Sequence, residues 1–207
     1  MPKVEANISN ARMHPNLQMS DRLAYILGVI EGDGWLNKNS GSYRVGLRVA
    51  DKLFSDNFAE HLRGIGLNPS TYCVKMENPR HRDQYVVEAC SKVFYQWYMD
   101  LSLSSITELI SQDVGFVRAF LQGFYESEGG VAHRTKNNWR VTIYNSDHAL
   151  IKFVQAMIEQ SGFSTSMGSH KRDGKKREYR LCILKGGIPT LRFLDWINPV
   201  IKQAEGR

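Results

Sequence analysis

Apolar residues recur along this chain in helical and strand-like rhythms, and the whole series of rhythms occurs twice. An apolar run from Leu27 to Ile30 closes on Glu31-Gly32-Asp33-Gly34, and a second, from Leu121 to Tyr125, closes on Glu126-Ser127-Glu128-Gly129. Each predicts a helix, N-capped by Ser20 or Asp21 in the first case and from the polar stretch 102–113 in the second. After the first helix, residues 43–49 alternate: Tyr43, Val45, Leu47 and Val49 fall on one side, Arg44, Gly46 and Arg48 on the other, as in a half-buried strand. A helix over about 55–63 follows, closed by Gly64 and Gly66. Asn68-Pro69 then turns into a hairpin of 71–76 and 84–90, and 92–103 is aromatic and apolar at helical spacing. The second half repeats the order: strand 139–144, helix 148–160, hairpin strands near 163–170 and 178–184, and a helix near 189–197. Short strands near 35–37 and 130–133 complete two αββαββα units.

The repeat is carried by residues as well as rhythm. At nearly the offset that separates Asp33 from Glu128, Tyr43-Arg44-Val45 matches Trp139-Arg140-Val141, Asp51 matches Asp147, and Gly66 matches Gly162. The fold class is therefore α+β, with two pseudo-symmetric αββαββα halves packed through the motif helices. The expected division is an extension over 1–19, a first half over 20–103, a linker over 104–112 and a second half over 113–207.

Both motifs place a small residue four positions after a glycine, Gly28 with Gly32 and Gly123 with Ser127, so each helix has a bare stripe on one face. Two such stripes let helix axes approach closer than the usual ~8 to 10 Å. Packed this way, the helices bring Asp33 and Glu128 together at their C-terminal ends, where the macrodipoles add further negative charge. Such a pair calls for a cation, and oxygen ligands without soft neighbours favour Mg²⁺ over zinc. Glu31 and Glu126, two residues earlier, are expected to point away from that face as solvated or structural acids.

Composition narrows the setting. Lys plus Arg outnumber Asp plus Glu 27 to 21, a net charge of +6 that suits a polyanionic partner. No apolar stretch reaches the ~18 residues of a membrane span and the first residues lack a signal-peptide core, so a soluble, cytoplasmic protein is expected. Cys73, Cys90 and Cys182 are too scattered for a disulfide framework or a zinc ribbon, and read as reduced, partly buried thiols. None of the six histidines forms a ligand pair at helical spacing. Phe94, Tyr95, Trp97, Tyr98, Phe193 and Trp196 fit a core role.

Two carboxylates across a pseudo-twofold axis suit metal-assisted attack on phosphodiesters. The alternating strands supply the complementary surface: Arg44 and Arg48 on the open face of the first half, Arg140, Thr142 and Tyr144 in the second, extended through the hairpins by Lys75, Arg80, Arg82, Lys171, Arg172, Arg177 and Arg180. A two-stranded ribbon fits the major groove, where Arg can pair bidentately with guanine.

Over residues 20–200 the paired motifs and the repeated αββαββα order resemble the LAGLIDADG homing endonucleases, specifically the single-chain, two-motif kind encoded in archaeal introns. The resemblance implies two curved antiparallel DNA-binding sheets straddling a long asymmetric duplex. It also implies a monomer that cuts both strands across the minor groove to leave four-base 3′ overhangs. It makes Asp33 and Glu128 the catalytic acids and places the metal on them together with the preceding Gly32 and Ser127. Mg²⁺ is the implied ion, with Mn²⁺ able to substitute and Ca²⁺ able to bind without supporting cleavage. Members often carry Gln or Lys at the end of the strand after each motif; here Val49 or Ala50 and Tyr144 or Asn145 stand there. Arg48, Lys92, Lys185 and Lys202 are candidates for that auxiliary basic role. An RNA maturase or a non-cleaving DNA-binding protein on the same scaffold is the alternative, and an intein remnant a third; the presence of both acids favours the enzyme.

Overall fold

In a computed structural model of the protein, the residues described are 14–78, 80–135, 138–171, 174, 176–184 and 187–203, with the side chains of 132–139 left aside. The first half runs α1 (Asp21–Glu31), β1 (Gly34–Asn39), β2 (Ser42–Val49), α2 (Lys52–Gly64), β3 (Ser70–Val74), β4 (Gln84–Cys90), α3 (Lys92–Met99). After α4 (Leu103–Ile110) the second half repeats it as α5 (Val114–Glu128), β5 (Gly129–Thr135), β6 (Asn138–Asn145), α6 (His148–Gln160), β7 (Thr165–His170), β8 (Glu178–Ile183), α7 (Ile188–Ile197). Each half forms one antiparallel four-stranded sheet, in the orders β1-β2-β4-β3 and β5-β6-β8-β7. Among the described residues no helix is long and apolar enough to cross a membrane.

The corresponding helices begin and end by the same chemistry. Asp51 accepts hydrogen bonds from the Leu53 and Phe54 amides to start α2, and Asp147 accepts from Ala149 and Leu150 to start α6. At the far ends, Gly66 donates to the Arg63 carbonyl and Leu67 to Leu62, while Gly162 donates to Glu159 and Phe163 to Ile158. These are paired Schellman closures, and both glycines sit in the left-handed region, with φ of 86° and 89°. Capping by Asp51 explains why α2 begins earlier than apolar spacing alone suggests. The third helix ends at Met99 rather than 103, and the stretch read as a polar connection contains α4. Its serines, Ser102 as N-cap with Ser104 and Ser105, hide the two residues, Ile106 and Ile110, that α4 buries.

The core is shared by both halves. Leu23 to Ile30 of α1 are buried without interruption, and so are Ala119 to Ser127 of α5 apart from the half-buried Gln122. Each sheet turns one face to the helices: Val45, Leu47, Val87 and Ala89 in the first, Val141, Ile143, Leu181 and Ile183 in the second. Phe94 and Phe193 are core as expected, whereas Tyr95, Trp97, Tyr98 and Trp196 are only half-buried. Cys73 and Cys90 are exposed and Cys182 is buried, so the expectation of partly buried thiols fails at all three.

Where α1 meets α5, backbone lies on backbone. A Cβ on Gly28 would overlap the Phe120 carbonyl oxygen, one on Gly123 would overlap the Tyr25 carbonyl oxygen, and one on Gly32 would strike the Ser127 side chain. Gly28→Ala or Gly123→Ala should therefore lower the unfolding free energy in denaturant titrations by at least about 1–3 kcal/mol, the scale of overpacking a core. Gly130→Ala, where a Cβ meets open space, should change it by less than about 0.5 kcal/mol.

Candidate active site

The two motif acids emerge where the helix pair ends. Gly32 caps α1 and donates its amide to the Val29 carbonyl at 3.2 Å, so Asp33 leaves the helix at once; Glu128 is the last residue of α5. Because Gly32 has no side chain, Ser127 and the stem of Glu128 can close against it. Burial pushes the Glu128 carboxyl up to about 7, with the Asp33 charge adding to the rise and the Asn145 amide and Lys202 opposing it. Asp33 reaches solvent, yet the protein beneath it raises its carboxyl from the ordinary value, again against Lys202. Among the described residues, no third His, Cys, Asp or Glu joins them in a metal-binding cluster. A metal held by these two acids would have to draw its further ligands from carbonyl, water or phosphate oxygens, and Gly32 and Ser127 immediately precede the acids in sequence.

Two partners of the acids come from outside the motifs. Asn145, at the end of β6, donates from its side-chain amide to Glu128 Oε1 at 2.9 Å. It stands where the resemblance calls for Gln or Lys, so the place is filled by an uncharged donor; its counterpart in the first half, the last residue of β2, is Val49, whose side chain has none. Lys202, beyond α7, donates from Nζ to the Ser127 carbonyl at 2.6 Å. Of the other auxiliary candidates, Lys92 lies over the Tyr43 ring at the far end of β2, Arg48 points from the open sheet face toward Met76, and Lys185 lies outside the described residues.

The earlier acids of each motif are structural, and Glu126 corrects the expected orientation. It is fully buried and faces the partner helix, accepting hydrogen bonds from the Tyr25 hydroxyl of α1, from Gln122 Nε2 at 3.2 Å and from the Val200 amide at 2.7 Å. Glu126 stands three residues after Gly123, on the flank of the stripe that faces α1, where the C-terminal segment closes over it and Tyr25 itself stacks on His61 of α2. Glu31 accepts from the Tyr98 hydroxyl at 2.7 Å and so ties α1 to α3.

The open sheet faces carry the basic residues in the expected register. Arg44 and Arg48 are exposed on β2, Arg44 paired with Glu88 at 3.2 Å. Arg180 on β8 is exposed opposite Tyr144 on β6, with Arg140 two residues from Thr142 on the same face. Lys75, Arg80 and Arg82 occupy the β3–β4 connection, Lys75 held by Asp83; Lys171 and Arg177 are exposed in the β7–β8 connection. Arg172 lies outside the described residues. Thr142 is a departure: only 7% exposed, beside the buried Cys182, it is not presented to a partner. Pattern reading also missed Trp35, which lies on the open face of β1 with its ring filling the space above Gly46. Its alternation with Leu36 was the available signal.

Residues 115–197 match the family model described as a LAGLIDADG-like domain, and the first half repeats the element order of that stretch. Over those residues the chain is LAGLIDADG-like. It is 38% identical to an uncharacterized protein of Methanocaldococcus jannaschii over 79% of this chain and 63% of that one, and 32% identical to a second from the same organism over 80% and 58%. The chain thus spans about three fifths of the length of these relatives. Homing endonuclease I-DmoI of Desulfurococcus mucosus is 26% identical over 94% of this chain and 98% of its own. I-DmoI in complex with DNA and Ca superposes with a TM-score of 0.61 at 22% identity, covering 86% of this chain and 88% of that one. Other I-DmoI complexes with DNA were obtained with Mn or in the presence of Mg.

The raised Glu128 carboxyl fixes a pH dependence. Between the ordinary glutamate value near 4.3 and about 7, the folded metal-free protein holds a proton that the unfolded chain has lost. Stability from this group is thus complete below the unfolded value and lost as pH rises through about 7. Thermal melts in chelator should show a falling midpoint between about pH 5 and pH 8, and Glu128→Gln should flatten that fall.

Proposed function

We propose that this chain is a site-specific, divalent-metal-dependent double-strand DNA endonuclease that acts as a monomer on a long, asymmetric target. The observation that carries the reading is the placement of Asp33 and Glu128, side by side at the C-terminal ends of two tightly packed helices, between two sheets whose open faces carry arginines. Each half, 20–103 and 113–207 on either side of the 104–112 linker, engages one arm of the duplex, inside the cell where such a target lies. The sheet arginines and the lysines of the hairpin loops contact phosphates and base edges. The minor groove at the centre of the site then faces the two acids, and cutting one phosphodiester on each strand there leaves four-base 3′ overhangs.

The donor set fits a hard divalent cation: two carboxylates, from Asp33 and Glu128, and the carbonyls of Gly32 and Ser127, all oxygen. Mg²⁺ is the natural ion and Mn²⁺ an acceptable one, whereas Ca²⁺ would support binding alone. When bound, such a cation lowers the pKa of a water nucleophile and stabilises charge on the leaving oxygen. The chain's own contribution is positional: Asn145 orients Glu128, and the rigid helix pair keeps the two acids at a fixed separation across the groove. Loss of one acid would mark a non-cleaving scaffold, and both are present.

Three outcomes test the reading. A library of duplexes incubated with Mg²⁺ should yield one linearised class with four-base 3′ overhangs; specific binding with intact strands would assign the chain to the non-cleaving alternative. Asp33→Asn and Glu128→Gln should each slow double-strand cleavage by at least roughly a hundredfold, the scale of losing one preorganised electrostatic group, with DNA affinity unchanged in a gel-shift titration. Arg48→Ala should weaken DNA binding and reduce the slope of log K against log salt by about 0.9, the share of one phosphate contact.

A further inference from the structure

Three consecutive residues at the end of α5 grip the segment that follows α7. The Tyr125 hydroxyl donates to the Lys202 carbonyl at 2.7 Å, Glu126 accepts from the Val200 amide at 2.7 Å, and the Ser127 carbonyl accepts from Lys202 Nζ at 2.6 Å. The segment is steered there by Asn198, a left-handed residue with φ of 48° that ends α7. Lys202 itself has φ of 56°, a conformation glycine adopts without strain and lysine does not. A lysine is thus held in a backbone position that favours glycine, and its ammonium is half-buried among carboxylates: Asp33, Glu128, Glu126 and Asp51. The carbonyl it occupies is the one beside Glu128 that a metal would use.

We propose that Lys202 is a tethered cation that holds the metal's place: without metal, its ammonium balances Asp33 and Glu128 and occupies the Ser127 carbonyl, and it gives up that carbonyl when a divalent cation arrives. The inference rests on reading Asp33 and Glu128 as metal ligands. Its chemistry is a competition between one ammonium and one hard cation for the same oxygen field. Metal affinity is thereby lowered, while the half-buried Glu128 and its neighbour Asp33 are kept from repelling one another during folding.

The test compares thermal unfolding of wild type, Lys202→Met, Glu128→Gln and the double variant in chelator and in millimolar Mn²⁺. Mn²⁺ binding is followed in parallel by the loss of the free-ion electron paramagnetic resonance signal. Lys202→Met should melt lower than wild type in chelator, and adding Glu128→Gln should recover part of that loss, which a bond serving only to anchor the chain would not show. Lys202→Met should also bind Mn²⁺ about tenfold more tightly than wild type. Tyr125→Phe, which loosens the segment but keeps the lysine, should shift Mn²⁺ affinity in the same direction by less, and it reports even if Lys202→Met does not fold. Equal or weaker Mn²⁺ binding by both variants, or no recovery in the double variant, overturns the proposal and leaves the metal reading standing. Absence of Mn²⁺ binding by every protein, wild type included, overturns the metal reading and the proposal with it.

Discussion

The close contact of α1 with α5 is the constraint on which the rest depends. Side-chain packing between helices tolerates small adjustments, but here carbonyl oxygens of Phe120 and Tyr25 occupy the space where Cβ atoms of Gly28 and Gly123 would lie. Interiors packed to this density are stiff. That stiffness reaches the helix ends, where Gly32 against Ser127 leaves little freedom in the spacing of Asp33 and Glu128. Because the same two helices found both sheets, the distance between the open sheet faces is fixed by the contact that fixes the acids.

Electrostatics works against this geometry and is offset from elsewhere in the chain. Two helix C-termini and two carboxylates converge, and burial makes the charges harder to sustain. The relief comes from polar groups outside the motifs: Asn145 on Glu128, Lys202 on Ser127, and the Tyr25–Glu126 bond that crosses the helix interface. Glu126 remains tolerable in the core because each of its oxygens has a donor. It is also an anchor of the C-terminal segment, so this fully buried acid and the half-buried Lys202 ammonium are linked through Val200 and Lys202.

The fold could be read from the sequence because its signals are local. Alternation at 43–49, the caps Asp51 and Asp147, and the closing glycines 66 and 162 each determine a few neighbouring residues. The helix α4 escaped because three serines interrupt a stripe of only two buried isoleucines. In the site, Asp33 and Glu128 stood out because the repeat picks them twice. Lys202 could be named only as one basic residue among several. Its position is set by a left-handed turn at Asn198 and by hydrogen bonds to residues more than seventy positions away, and neither leaves a mark in spacing. Thr142 was misread for a related reason, since strand alternation gives the face of a sheet but not what covers it.

The two halves share a fold but not a complete set of parts. Asn145 has Val49 as its counterpart, Trp35 has Gly130, and among the described residues the lysine-bearing segment follows the second half alone. If the halves arose by duplication, they have since become non-interchangeable. A symmetric pair built from the first half alone would have neither the amide nor the ammonium at its acids; one built from the second half would have two of each. The single polypeptide thus joins two half-sites of unequal chemical equipment, and its linker preserves a division of labour that a homodimer could not encode.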